Sequence, residues 1–87
     1  YVHRPKQLIQ PDGEEGYLVD ARVSIVEVNE LLGTSLPLNE GHTIGGLVMA
    51  RLRHLPKENE SIIASGYRFT VQESSGRLVK KVRIVAA

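Results

Sequence analysis

Residues 16–33 read GYLVDARVSIVEVNELLG, which predicts a strand followed at once by a helix. Within the predicted strand, Glu15–Ala21, Tyr17 and Val19 share one face and Leu18 points to the other. Apolar residues on both faces indicate an interior strand of a sheet.

The following helix carries its own start and stop signals. Ser24 and Glu27 have the spacing of a capping box, in which each residue satisfies a backbone N–H of the other. Val23 and Val28 stand at the positions of a hydrophobic staple, and Gly33 provides the left-handed residue that ends a helix. The pattern predicts about two and a half helical turns.

A second helix is predicted from Thr43, the expected N-cap, to Pro56. Its apolar stripe consists of Ile44, Leu47, Val48, Leu52 and Leu55. Gly45 and Gly46 lie in its first turn, where each costs about 1 kcal/mol relative to Ala. Either the helix packs closely on a strand, which we favour, or its N-terminus faces a ligand such as an anion.

The remaining chain predicts three strands joined by hairpins, over residues 62–64, 67–73 and 77–85, with turns at Ser65-Gly66 and residues 74–76. The core candidates of the middle strand are Tyr67, Phe69 and Val71. A β-bulge near Lys80-Lys81 would place Val79 and Val82 on the same side. The predicted fold is α+β, in the order β-α-α-β-β-β, with a mainly antiparallel sheet and two helices on one face.

The length of 87 residues allows one domain. Residues 1–12, with Pro5 and Pro11, are interpreted as a linker or arm, and residues 13–87 as the domain. Because the chain starts at Tyr1 without Met, we expect it to be a piece of a longer protein. No window approaches the 18 or so apolar residues of a membrane span, so no direct membrane insertion is expected.

The composition narrows the possible chemistry. The absence of cysteine excludes a disulfide framework and a thiolate metal site. The net charge of +1 gives no broad positive electrostatic field that would attract nucleic acid. His3, His42 and His54 lack the spacing that places two imidazoles on one metal. We therefore predict no catalytic residues and no metal site.

Seven positions are candidates for contact with a ligand or partner: Asp20, Arg22, Gly45, Gly46, Arg68, Lys81 and Arg83. Asp20 and Arg22 could pair with a ligand, or Asp20 could brace the turn into the first helix. Arg68, Lys81 and Arg83 could align on the outer face of the hairpin and bind an acidic surface or phosphate. Charged outer faces also keep antiparallel sheets in solution, and we favour that interpretation.

Seven segments follow one another in a characteristic order: residues 16–22, 28–33, 36–37, 43–48, 55–58, 67–71 and 79–83. Taken together they resemble the CorC/HlyC transporter-associated domain, and the resemblance extends over about residues 13–85. The chain differs at Ala21, Arg53 and Asn59, where the family often has Gly; the first two put in doubt any ligand approach to a bare backbone there.

The resemblance implies an arrangement similar to the flavin-binding (PCMH-type) fold of vanillyl-alcohol-oxidase-type enzymes. It also implies a place at the C-terminus of a membrane protein that carries a CBS pair and a transmembrane domain. The parent would be a hemolysin or a magnesium and cobalt efflux protein, with this module on the cytoplasmic side of the bacterial inner membrane.

Three hypotheses for function follow. The first is a non-catalytic regulatory or interaction module of the ion-transport protein, which contacts the CBS pair or, as a homodimer, another copy of itself. The second is a small-ligand module for flavin or adenine nucleotide at Gly45-Gly46 and Arg22; no cofactor is otherwise expected. The third, which we do not favour, is a nucleic-acid module using Arg68, Lys81 and Arg83.

Overall fold

The computed structural model describes residues 8–13, 16–39 and 41–87. Its elements are β1 (Ile9–Asp12), β2 (Gly16–Asp20), α1 (Ile25–Leu32), α2 (Ile44–Leu52), β3 (Ser61–Ala64), β4 (Tyr67–Ser75) and β5 (Leu78–Ala86). The strands form one sheet in the order β1-β2-β5-β4-β3, and every neighbouring pair is antiparallel. The predicted α+β class with an antiparallel sheet is confirmed, and β2 is an interior strand as expected.

The sheet has five strands rather than the four predicted, because Ile9–Asp12 is a strand and not part of an arm. Ile9 lies opposite Val19 of β2, and Asp12 lies opposite Gly16. Pro11 had argued against a strand, but β1 is an edge strand, where a missing N–H can face away from the sheet. The rest of the predicted arm, residues 1–7, and the predicted strand start at Glu15 lie outside the described residues.

Helix α1 has the predicted ends. The Glu27 backbone N–H donates to Ser24 Oγ at 3.1 Å, and Gly33 adopts the left-handed conformation at φ 69°.

Beyond the helix, the Asn29 side chain fixes the next loop. Its Oδ1 accepts from Leu36 N and from Thr34 Oγ1, both at 2.8 Å, and its Nδ2 donates to Leu36 O at 3.2 Å.

Helix α2 begins at the predicted cap, where Thr43 Oγ1 accepts from Gly46 N at 3.1 Å. It ends earlier than predicted, at Leu52, because Arg53 takes the left-handed conformation at φ 62° and turns the chain away before Pro56. Leu55 is therefore not part of the apolar stripe, and its side chain is 59% exposed.

The β3–β4 hairpin turns at Ser65 and Gly66, whose φ angles of 52° and 84° are both positive, as a type I′ turn requires. The β4–β5 hairpin is longer than predicted: Ser75 pairs with Leu78, so the turn lies at residues 76–77.

Two compensating irregularities interrupt the β4–β5 pairing. In register, Val71 is opposite Val82, Glu73 is opposite Lys81, and Ser74 is opposite Val79. Each strand therefore contains one extra residue, Gln72 on β4 and Lys80 on β5. The predicted bulge is confirmed, since Val79 and Val82 are both buried.

One hydrophobic core lies between the helices and one face of the sheet. Its fully buried members come from both layers: Val19, Ile25, Val28, Ile44, Leu47, Val48, Phe69, Val71, Val82 and Ile84. Alternate strand residues therefore point to the opposite, outer face, which no described helix covers. Of the predicted core residues in β4, Phe69 and Val71 are fully buried and Tyr67 is partly buried.

Candidate functional site

An open groove of about 530 Å³ lies where the end of β2, the start of α2 and the bulge of β5 meet. It brings together four of the predicted site residues, Asp20, Arg22, Gly45 and Gly46. We call it the α2 groove. Its volume is within the range of about 300–1,000 Å³ that is typical of ligand pockets.

Ala21 joins the three elements that form the groove. Its N–H donates to Lys80 O of the bulge, and its carbonyl accepts from Gly45 N, both at 3.0 Å. A Cβ on Gly45 would lie 2.6 Å from the Ala21 Cβ, which is closer than two non-bonded carbon atoms can approach. For Gly45, close packing of helix on strand is thus the reason for glycine, as favoured from the sequence.

The first turn of α2 has no N–H to offer to an anion, because each one donates within the protein. The pairs are Ile44 N to Val23 O at 2.9 Å, Gly45 N to Ala21 O at 3.0 Å, and Gly46 N to Thr43 Oγ1 at 3.1 Å. These hydrogen bonds count against the alternative in which Gly45 and Gly46 hold a phosphate through their amides.

Asp20 and Arg22 pair with each other across the turn that follows β2. Asp20 Oδ1 accepts from Arg22 N at 2.9 Å and from Arg22 Nε at 3.0 Å, and Oδ2 accepts from the terminal nitrogen at 3.2 Å. The hydrogen bond from the Arg22 side chain is the main cause that lowers the pKa of Asp20. Asp20 is thus an ionised brace of the turn, as one of the two sequence interpretations held, and a poor proton donor near neutral pH.

Arg68, Lys81 and Arg83 lie on the outer face of the sheet, as predicted, and away from the core face. Arg83 Nε is 2.9 Å from Asp12 Oδ2, and Lys81 stands in register with Asp20 on one side and Glu73 on the other. Acidic and basic residues therefore alternate on this face, which is the solvated arrangement that we favoured over a site for nucleic acid.

Six lining residues of the α2 groove were not among the predicted site residues, and three of them, Met49, Leu78 and Lys80, have side chains that could contact a partner. Leu78 is 59% exposed, and Lys80 is the extra residue of β5. The broken alternation of β5 was the available signal for Lys80, but the sequence did not show that α2 would lie beside the bulge.

Among the described residues, no group of three or more His, Cys, Asp or Glu could hold a metal. Neither described helix is long and apolar enough to span a membrane.

A family comparison matches residues 10–86 to the CorC_HlyC family, described as "Transporter associated domain". Hemolysin C of Brachyspira hyodysenteriae is 44% identical over 78 residues, which is 87% of this chain and 29% of that protein. The magnesium and cobalt efflux protein CorC of Escherichia coli K12 is 40% identical over 68 residues, 78% of this chain and 23% of that protein. The chain thus spans less than a third of either relative.

Solved structures share the fold. The Mg2+ and Co2+ transporter (CorC) associated region of Neisseria meningitidis MC58 superposes with a TM-score of 0.87 at 30% identity, covering 92% of this chain and 99% of that one. A CorC_HlyC domain from a Xylella fastidiosa Temecula1 hemolysin, solved in complex with Mg++ and Mn++, has a TM-score of 0.83 at 22% identity, covering 92% and 98%. The transporter associated domain of a CBS domain protein from Porphyromonas gingivalis has a TM-score of 0.76 at 23% identity, covering 91% and 97%.

Proposed function

Since the chain belongs to the CorC_HlyC family of transporter associated domains, we propose that it is a non-catalytic interaction module of an ion-transport membrane protein. The parent is of the hemolysin or magnesium and cobalt efflux type. The module acts by binding another part of that parent, the CBS pair or a second copy of itself. It works on the cytoplasmic side of the bacterial inner membrane, attached to a transmembrane domain by the segment that precedes it.

The observation that carries this proposal is the state of the ionisable groups in the α2 groove. Asp20 is held as a carboxylate by Arg22, and the other ionisable side chain of the lining, Lys80, carries a positive charge that also favours this ionised form. Bond-making chemistry needs a nucleophile or a pair of groups that exchange a proton, whereas binding needs only shape and complementary charge. The groove therefore suits recognition better than turnover.

The comparisons support the setting. Two relatives named as a hemolysin and an efflux protein are more than three times as long as the matched segment, so a parent with further domains is expected. One neighbour in structure is described as part of a CBS domain protein, which supports the CBS pair as a partner.

The test is deletion of the module from the full-length parent. We expect altered magnesium or cobalt efflux, measured as cellular cobalt tolerance at matched expression, or altered assembly, measured by light scattering of the purified parent. Unchanged efflux together with an unchanged oligomeric state would refute the proposal.

A small-ligand site for flavin or adenine nucleotide is the second candidate, because the α2 groove has the volume of a ligand pocket and Arg22 lies on its edge. The engaged amides of α2 count against binding of a diphosphate. Calorimetry of the 87-residue chain with FAD and with ATP decides this directly: saturable heat would support the site, and its absence at high micromolar ligand would remove it.

A further inference from the structure

We propose that the α2 groove binds a peptide segment in which an acidic side chain neighbours an aliphatic one, with Lys80 taking the carboxylate and Leu78 and Met49 the aliphatic group. The inference rests on the proposed role of the domain as an interaction module, and it specifies which surface is used and what chemistry the partner has.

The ionisable side chains that line the α2 groove carry an excess of positive charge. Asp20 accepts one hydrogen bond from the Arg22 backbone N–H and two from its guanidinium, and the positive charge of Lys80 also acts on it. Lys80 is exposed in the same groove and adds a second cation. Two cations against one carboxylate leave an excess of one positive charge, which a single acidic side chain would complement.

The bulge directs Lys80 to this position. With regular alternation, Lys80 would share the core face with Val82 and Ile84, where a charged side chain cannot be buried. The extra residue moves Val79 onto the core face instead, and Lys80 lines the groove. Bulges are often found where a strand must aim a side chain at a ligand.

The apolar part of the groove explains why the partner also needs an aliphatic group. Leu78, which is 59% exposed, and the partly buried Met49 both line the groove. An exposed leucine and a flexible thioether in one groove offer an adaptable surface for an aliphatic side chain. The engaged amides of α2 leave no backbone donors for a phosphate, so a carboxylate on Lys80 is the favoured anion.

The experiment titrates the ¹⁵N-labelled 87-residue chain with the peptide acetyl-Leu-Asp-Leu-amide and, as a matched control, acetyl-Leu-Asn-Leu-amide. We expect saturable shifts of the Ala21, Gly45 and Lys80 amides with the acidic peptide, and about fivefold weaker binding of the neutral one, as for a solvent-exposed ion pair. Binding of the acidic peptide should weaken as NaCl is raised.

Two pairs of variants separate the groove from the outer face. Lys80→Gln should weaken binding of the acidic peptide about fivefold, whereas Lys81→Gln, at the neighbouring exposed lysine, should not change it. Leu78→Ser should weaken binding, whereas Ile63→Ser should not, although Ile63 is exposed to a similar extent at 57%. A charge swap, Lys80→Glu with acetyl-Leu-Lys-Leu-amide, should restore binding.

Several results would overturn the inference: no saturable shift at millimolar acidic peptide, equal effects of Lys80→Gln and Lys81→Gln, or shifts confined to the outer face. Concentration-dependent shifts of the groove amides without peptide would show a second copy as the occupant, and competition by ATP or FAD would show a small ligand. Each of these leaves the interaction module itself standing, because that proposal depends on deletion from the parent and not on the peptide titration.

Discussion

Substitution of Gly45 by Ala tests the closest contact in the groove. The added Cβ would stand 2.6 Å from the Ala21 Cβ and 3.1 Å from the Ala21 carbonyl oxygen, so helix and strand must separate. Overpacking of this kind costs about 1–3 kcal/mol, and the higher helix propensity of Ala returns at most about 1 kcal/mol. We expect a net loss of about 1–2 kcal/mol in the free energy of unfolding.

The assay is urea unfolding followed by circular dichroism, with Gly46→Ala as the matched control. Both substitutions gain the same helix propensity, but the Cβ on Gly46 would meet only Thr43 Oγ1, at 3.3 Å, and Gly41 Cα, at 3.8 Å. With a urea m-value of about 1 kcal/mol/M, Gly45→Ala should lower the midpoint by about 1–2 M. Gly46→Ala gains up to about 1 kcal/mol in helix propensity against one tight contact with the Thr43 hydroxyl, so its midpoint should lie between unchanged and about 1 M higher.

A double-mutant cycle identifies the cause. Ala21→Gly removes the carbon atom that Gly45→Ala would strike, so the penalty of Gly45→Ala should be smaller in that background by about 1 kcal/mol. If Gly45→Ala is as stable as Gly46→Ala, or if its penalty is the same in both backgrounds, the proposed role of the Ala21–Gly45 contact is refuted.

Three further predictions concern stability. Arg53→Gly should stabilise the fold by about 0.5–1 kcal/mol, because it relieves a left-handed residue that carries a Cβ; a lower thermal midpoint would contradict this. Asn29→Ala should lower the free energy of urea unfolding by about 2 kcal/mol, because the backbone N–H and the carbonyl of the buried Leu36 both lose their hydrogen-bond partner. A change below about 0.5 kcal/mol would show that the loop keeps its structure without the Asn29 side chain. The pKa of Asp20 is lower in the folded state than its unfolded-state value of about 3.9. Its pairing with Arg22 therefore stabilises the fold above that pH, and this stabilisation is lost as the pH falls through the lower, folded-state pKa. Asp20→Asn should therefore flatten the fall in urea midpoint below about pH 4, and an unchanged pH profile would refute the assignment.

Local signals accounted for most of the fold. The caps at Ser24 and Thr43 and the left-handed Gly33 are decided by residues within one helical turn, and the structure confirms all three. The sequence did not predict where α2 ends, because Arg53 adopts a conformation that its side chain disfavours and that only its surroundings can impose.

The features that sequence reasoning missed depend on pairing between segments, one pair adjacent in the chain and one distant. Strand β1 depends on pairing with β2, which outweighs the low strand propensity of Pro11. Lys80 meets the other elements of the groove through a distant segment, because its carbonyl accepts from Ala21 N, 59 positions earlier in the chain. Candidate site residues could be predicted from the sequence, but the residues that lie next to them in the folded domain could not.

Strand β5 is the last of the five strands to be synthesised, yet it occupies the middle of the sheet. Until it has left the ribosome, β1 and β2 can form one hairpin and β3 and β4 another, with no strand between them to make one sheet. Two-stranded hairpins are at best marginally stable alone, so the nascent domain must wait for its final strand before the two halves become one cooperative unit. Loss of a few residues from β5 would therefore divide the molecule at its centre rather than trim its edge.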